Sequence, residues 1–417
     1  MHHRIAIFAV MFAFLPCIGM AQEHNATVQG DTIRYTYTPL THTSASAEGA
    51  SVVVADSVAP KRNKFVQRFL DFATKPAVDR TFEKRIDFSI VPGPTYSSKT
   101  SLSLGVIATG AYRVNRRDSI TSPSNVSMYA TVSIIGYYYV GVMGNTFFRH
   151  DRHRLDYDIG FQSMPTDFWG FGYHAATTNP QSEYINKNTF AEIKYLYEPL
   201  RNVHVGAFLD FDYTKAKKVK QPEYFGLQRH SYIGLGLGAI VEYDSRDVIT
   251  NPTKGLYVGA NFLVRPKAFC NAGHTLWRAR ATINFYQRLW RDAVLAFDLH
   301  GEFNSRHTPW TMYALLGSNY RMRGYYEGRF SDLNMITLQV ELRQRVWQRL
   351  GVVVWGGAGN VFHSFDSFEW RQTLPNYGVG LRWELKKGIN ARIDYGFGGV
   401  VKGRLINGLV MSINEAF

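Results

Sequence analysis

The sequence predicts an all-β protein: a 16-stranded antiparallel transmembrane β-barrel with a short, mostly irregular N-terminal segment. Three observations lead there. The 417 residues hold 28 Phe, 25 Tyr and 36 Gly against 8 Trp, and only 19% are charged. Such a chain buries enough apolar surface to fold, which excludes disorder, and two cysteines exclude a small disulfide scaffold. No stretch after the first residues approaches the length of a spanning helix; the nearest, 232–243, is short and broken by glycines. What recurs instead is strict two-residue alternation of apolar and polar side chains, the pattern of strands with lipid on one face and water on the other.

The elements follow in chain order. Residues 1–21 read as a secretory signal: Arg4 gives the positive start, Ile5 to Leu15 the short apolar run, and Gly19-Met20-Ala21 the small residues before cleavage at Gln22. A lipoprotein anchor at Cys17 is disfavoured by Pro16. Cleavage leaves Cys270 as the single cysteine, so no disulfide within the chain is expected. Residues 22–85 form a polar periplasmic segment, rich in Thr, Ser and Ala over 41–58 and expected to be flexible. Within it Phe65, Phe69 and Phe72 stand at helical spacing beside Lys64, Arg68 and Asp71. That short amphipathic helix would cap the periplasmic mouth or rest on the membrane interface.

The barrel domain is expected over 86–417, with strands near 86–96, 99–113, 125–137, 138–149, 151–163, 184–199, 202–213 and 229–243. The remaining eight are expected near 255–265, 275–289, 292–304, 334–348, 349–363, 376–386, 389–398 and 408–417. The twelfth is the plainest: Ile336, Leu338, Val340, Leu342 and Val346 oppose Thr337, Gln339, Glu341, Arg343 and Arg345. In the eleventh, Leu295, Phe297, Leu299 and Phe303 oppose Asp298, His300, Glu302 and Asn304. Charges on one face exclude the inner face of a sandwich, whereas a wet lumen accepts them. Connections after even strands are mostly tight. Those at 164–183, 214–228, 305–333, 364–375 and 399–407 are long, which assigns them to the cell exterior and both chain ends to the periplasm.

One segment breaks the pattern. In the loop 305–333, Tyr320-Arg321-Met322-Arg323-Gly324-Tyr325-Tyr326 combines arginines, a glycine and aromatics. A glycine lets the backbone turn where a side chain would clash, and a guanidinium reaches buried carboxylates with two parallel bonds. Such a loop would fold back into the lumen; the other reading is a basic aromatic loop on lipid headgroups. Met322-Arg323-Gly324-Tyr325 resembles the Val/Ile-Arg-Gly-Phe/Tyr motif in the sixth extracellular loop of the BamA/TamA-like superfamily of outer-membrane assembly and transport barrels (bacterial surface antigen barrels). Tyr243-Asp244-Ser245-Arg246-Asp247 with Asn251-Pro252-Thr253-Lys254-Gly255 looks like that family's turn between strands 8 and 9. Asp167-Phe168-Trp169-Gly170-Phe171-Gly172, Ala358-Gly359-Asn360-Val361-Phe362 and Arg392-Ile393-Asp394-Tyr395-Gly396 are similar to further family segments. The resemblance implies that loop 6 is folded into the lumen and pinned by Arg323. The family's usual aspartate partner aligns with Gly357, so by lumen-facing parity Asp394 or Glu341 is expected to substitute. Residues 22–85 lack the strand–helix alternation of the family's periplasmic POTRA domains, so a barrel-only member is expected.

The resemblance implies a protein of the outer membrane of a Gram-negative bacterium that is not an enzyme and uses no cofactor or metal. It would assist outer-membrane protein assembly or insertion, or polypeptide translocation. The alternative is a passive channel or structural barrel with a separate periplasmic partner. The first strand holds Pro92, Gly93 and Pro94, which would end its pairing early and leave a short seam against the last strand, starting at Gly408. The aromatic Phe417 resembles the assembly signal that barrel clients present. Lys215, Lys217, Lys218 and Lys220 in one outer loop, with Arg265 and Lys267 in the next, would meet lipid and lipopolysaccharide phosphates or stand solvated. Other expected partners are periplasmic or lipoprotein subunits; nucleic acid is excluded, because the basic residues do not line one groove. His150-Asp151-Arg152-His153 is too sparse for a metal site, and no nucleophile elbow or phosphate loop stands out.

Overall fold

The computed structural model describes residues 85–417 except Ser98, Arg116, Arg117, Ser119, Arg149, Lys387, Gly388 and Asn414. The expected signal segment and the lead with Phe65, Phe69 and Phe72 lie outside the described residues. Alternation becomes strands β1 (Asp87–Ser97), β2 (Ser101–Tyr112), β3 (Ser124–Ser133), β4 (Tyr138–Phe148), β5 (His153–Phe168) and β6 (Ser182–Leu200). Then come β7 (Val203–Lys217), β8 (Ser231–Asp244), β9 (Gly255–Arg265), β10 (Leu276–Trp290) and β11 (Ala293–Asn304). A small hairpin, β12 (Ala314–Leu316) and β13 (Phe330–Asp332), sits within the longest loop. The wall finishes with β14 (Asn334–Trp347), β15 (Leu350–Phe362), β16 (Leu374–Lys386), β17 (Ile389–Val401) and β18 (Arg404–Ile413). One described α-helix, α1 (Gly172–Thr178), lies in the loop after β5.

Sixteen strands form one antiparallel sheet in chain order, with β14 following β11 because the β12–β13 hairpin stands apart. A single sheet of this size excludes the sandwich. The two faces are those the residue types demand. Val379 and Leu381 of β16 are 56% and 52% exposed on the lipid side, while Asn376 and Arg382 of the opposite parity are buried inside. Register carries the alternation across strands: Ile283 pairs with Leu299 on the lipid face and Asn284 with Asp298 on the lumen face.

Several boundaries differ from expectation. β5 and β7 run to Phe168 and Lys217, so Asp167-Phe168, Lys215 and Lys217 are strand rather than loop. The last strand spans 404–413 rather than 408–417. The expected outer loop 399–407 is instead the turn Lys402-Gly403, with φ of 51° and 73°, the two left-handed positions of a tight hairpin. Nor do the prolines end β1, which pairs with β2 from Asp87 to Ser97, through Pro92↔Val106 and Pro94↔Leu104. The reason is parity. Ser133 donates to the Tyr137 carbonyl and Ile134 to the Leu102 carbonyl, so even-numbered residues of β2 face β3 and odd ones face β1. Through the register, odd residues of β1 bond β2, and Pro92 and Pro94 point their missing N–H groups away from it, as an edge strand permits. That outer edge lies beside β18: Cα atoms of the two strands approach within 8 Å, and no ladder joins them among the described residues.

Candidate functional site

The loop between β11 and β14 returns into the barrel. Its β12–β13 hairpin pairs Ala314 with Asp332 and Leu316 with Phe330, giving the loop its own apolar face. That face, with Met322 and Tyr325, packs on wall residues Met335, Val361, Leu374 and Val401. The burial holds the next three residues against the wall.

Arg323 is fully buried. Its Nη1 donates to Asp394 Oδ2 at 2.7 Å and its Nη2 to Glu341 Oε2. The guanidinium carbon stands 3.7 Å over the Trp355 ring, a cation–π contact that occupies the face the carboxylates leave free. Gly324 has φ +105°, and a Cβ there would sit 2.5 Å from the Gly396 carbonyl oxygen. Wall glycines answer it: a Cβ on Gly396 would lie 2.0 Å from the Arg323 oxygen. The two backbones therefore approach as only glycine allows. The Tyr325 hydroxyl donates to the Pro375 carbonyl at 2.7 Å and accepts from Gly399 N–H at 2.6 Å. Asn376 closes the clamp by donating to the Arg323 carbonyl at 2.6 Å. One turn earlier, Arg321 takes both oxygens of Asp298, each at 2.8 Å.

The two carboxylates are shared. Asp394 also accepts from Arg382 at 2.5 Å and Arg392 at 3.0 Å, and Glu341 from Arg343 at 2.7 Å. Glu415 extends the network, accepting from Arg382 and from Asn390 at 2.7 Å each. Four arginines thus share three carboxylates in a buried cluster, where a lost partner is costly. Trp355, Asn376, Arg343, Arg382, Arg392 and Glu415 were not singled out as partners from sequence. The available signal was cross-strand parity, since Trp355 pairs directly with Glu341.

Phe417 departs from the expected last strand. Beyond Ile413 the chain leaves the wall, because Glu415 is drawn inward to Arg382 and Asn390. Glu415 N–H then reaches the Thr250 carbonyl in the β8–β9 turn at 3.2 Å. Phe417 lies with Arg343 over its ring at 5.4 Å and accepts from Arg343 Nη2 at 2.9 Å, rather than facing lipid. Arg265 is likewise no outer-loop cation: it ends β9, points inward and bonds Asp210. Lys220 pairs with Glu183 at 2.6 Å. His153 Nδ1 bonds the Tyr195 hydroxyl at 2.6 Å and Asp151 accepts from Ser122. Among the described residues no group of three or more His, Cys, Asp or Glu could hold a metal. The site's chemistry is clamping: guanidiniums are permanent donors and cannot act as bases.

Comparison with known proteins accords with this geometry. A family model described as the Omp85 superfamily domain matches residues 107–417. Among solved structures, BamA from Haemophilus ducreyi lacking POTRA domains 1-3 is similar with a TM-score of 0.56 at 13% identity, over 79% of this chain and 70% of that one. CdiB from Acinetobacter baumannii is similar with a TM-score of 0.50 at 12% identity, over 79% of this chain and 60% of that one. At such identities the likeness is one of fold. No curated protein matches the sequence. The family match, covering well over half the chain, makes this protein a member of the Omp85 superfamily: a non-enzymatic outer-membrane β-barrel of the Gram-negative type.

Proposed function

We propose that the barrel assists insertion of other outer-membrane proteins, or passage of a polypeptide, with the seam between β1 and β18 as its working edge and the Arg323-Gly324-Tyr325 clamp holding loop 6 in the lumen. The observation that carries this reading is the edge of β1. Pro92 and Pro94 remove two of the five even-numbered N–H groups that Phe88, Ile90 and Tyr96 otherwise supply toward β18, so a full ladder cannot form there. Weak pairing by β1 leaves the facing edge of β18, with its own N–H and C=O groups, as the one an incoming strand can join. The clamp adds support: it fastens loop 6 to β14–β17 through buried bonds, whereas toward β1 the loop reaches the following turn by the partly exposed ion pair of Glu327 with Lys99 at 2.8 Å. The same loop stands against the passive-channel reading, since its residues fill lumen volume. Outer-leaflet lipid and lipopolysaccharide around the wall, and periplasmic or lipoprotein subunits supplying client delivery, complete the proposal.

The test is reconstitution of the full chain into lipid vesicles and measurement of the folding rate of an added unfolded barrel. Acceleration that disappears when a disulfide latches β1 to β18 is the expected result. Equal rates with empty vesicles, together with steady single-channel conductance, would replace this reading with the pore.

A further inference from the structure

Beside the clamp, at the end carrying the tight turns, the lumen opens into a cavity of about 290 Å³. Six arginines line it: Arg288, Arg291, Arg343, Arg345, Arg349 and Arg382. Three lining carboxylates oppose them, and two of these are already engaged: Glu384 with Arg345 at 3.3 Å, and Glu415 with Arg382 at 2.7 Å. The cavity therefore carries an excess of positive charge.

Two features distinguish it from a solvated basic surface. Arg343 and Arg382 have side chains only 8% and 5% exposed, yet Nη1 of the first and Nη2 of the second are buried without a hydrogen-bond acceptor among the described residues. Nη2 of Arg382 comes no closer than 3.8 Å to Glu341. Buried charged donors left open are costly, and an anionic guest would satisfy them. Arg291 and Arg349, exposed on the turns at the rim, make no ion pair among the described residues.

The chain also displays what the cavity holds. Glu415 lays its carboxylate between Arg382 and Asn390, and the following residues place a carbonyl and an aromatic ring on Arg343. One wall of the cavity is thus a segment of this chain whose Glu415 carboxylate is seated on Arg382, with room for more side-chain-sized groups beside it.

We infer that this cavity docks an acidic polypeptide segment arriving from the periplasm, its Asp or Glu carboxylates bridging Arg291 and Arg349 at the rim to the open donors of Arg343 and Arg382. The inference deepens the proposed function, and rests on it, by naming the chemistry through which a client or partner chain is first held. Paired N–H groups of each guanidinium match a carboxylate's two oxygens.

The experiment uses the full chain in detergent micelles and a short fluorescent oligoglutamate as probe. Saturable binding is expected, weakened about tenfold or more in the double variant Arg291→Glu, Arg349→Glu and in about 0.5 M salt, where screening shortens charge interactions to a few ångströms. Oligolysine should not bind, and inorganic phosphate should not displace the probe. Both substituted residues are exposed, so unchanged heat-modifiable mobility on gels certifies the fold. Undiminished binding by the double variant, absence of saturable binding, or displacement by phosphate as effective as by unlabelled peptide would overturn the inference. The vesicle assay separates the two ideas: a barrel that accelerates client folding but binds no oligoglutamate loses the docking site alone. One that binds the peptide through these arginines but accelerates nothing loses the insertion reading, with the docking chemistry upheld.

Discussion

In loop 6, Arg323 is the fully buried cation from which both Asp394 and Glu341 accept. Replacing it with alanine leaves Asp394 and Glu341 buried with one cationic partner fewer, and removal of one member of a buried pair costs about 3–5 kcal/mol. Arg343, Arg382 and Arg392 remain to share the carboxylates, so the lower end of that range is expected. The thermal midpoint of heat-modifiable gel mobility should fall, and proteases should gain access to 314–332. Arg323→Lys should restore only part of the loss, because an ammonium cannot reach two carboxylates and cover the Trp355 ring together. If the alanine variant melts like the parent, the clamp is not what holds the loop. Gly324→Ala should release the loop by a different route, with all charges intact, since its Cβ would meet the Gly396 carbonyl and its φ of +105° is disfavoured for alanine. Equal protease resistance in this variant would show that the backbone approach is not required.

Among the elements, β1 and the β8–β9 turn make separate predictions. Pro92→Ala with Pro94→Ala adds two N–H groups to the edge facing β18. Each new bond contributes up to about 1 kcal/mol, so amide exchange in β18 should slow by about fivefold or more, and client folding in vesicles should slow with it. Unaltered exchange would mean that the two edges do not compete for these bonds. In the turn 245–254, Asp247 accepts from the Thr253 hydroxyl at 2.5 Å, from Thr253 N–H at 2.8 Å, and from the N–H groups of Val248 and Lys254. Burial works to raise this carboxyl, but these bonds outweigh it and hold it below the ordinary carboxylate range. A depressed folded value stabilises fully above the unfolded value of about 4, and the contribution is lost as pH falls through the folded value. Amide protection over 245–254, judged as exchange relative to an unstructured peptide at the same pH, should therefore be lost on acidification below about pH 4, giving relatively fast exchange. Asp247→Ala should show that fast exchange at neutral pH, and a pH-independent turn in the parent would contradict the assignment.

At the scale of the whole molecule, the barrel divides its duties around the wall. β14–β17 with Glu415 carry the dense ion network and the folded-in loop, whereas β1 presents an edge poor in donors. Rigidity on one side of the seam and incomplete pairing on the other is a combination suited to admitting a strand without losing the barrel. The division explains why the strand pattern was legible in the sequence and the site only partly so. Alternation has a period of two set by local geometry, and lipid outside with water inside forces the residue types, so all sixteen wall strands can be read from one chain. The family-like motif likewise stands out because Gly324 is needed where a Cβ would meet the Gly396 carbonyl and φ is +105°. Ends of strands were less legible, since β5 and β7 are prolonged by pairing with β6 and β18 by the Lys402-Gly403 turn.

The sequence by itself determined the faces of the strands whose alternation is unbroken, most of the tight turns at the periplasmic end and, by parity along a strand, which carboxylates face the lumen, while Arg323 stood out by the resemblance of its loop motif. Tertiary structure alone decided the rest. It set which arginines share Asp394 and Glu341, placed Trp355 beneath Arg323, turned Phe417 inward, and aimed Pro92 and Pro94 at the seam instead of at β2. Those outcomes depend on the register between strands and on the path of a loop far away in the chain, and such relations have no local period to read.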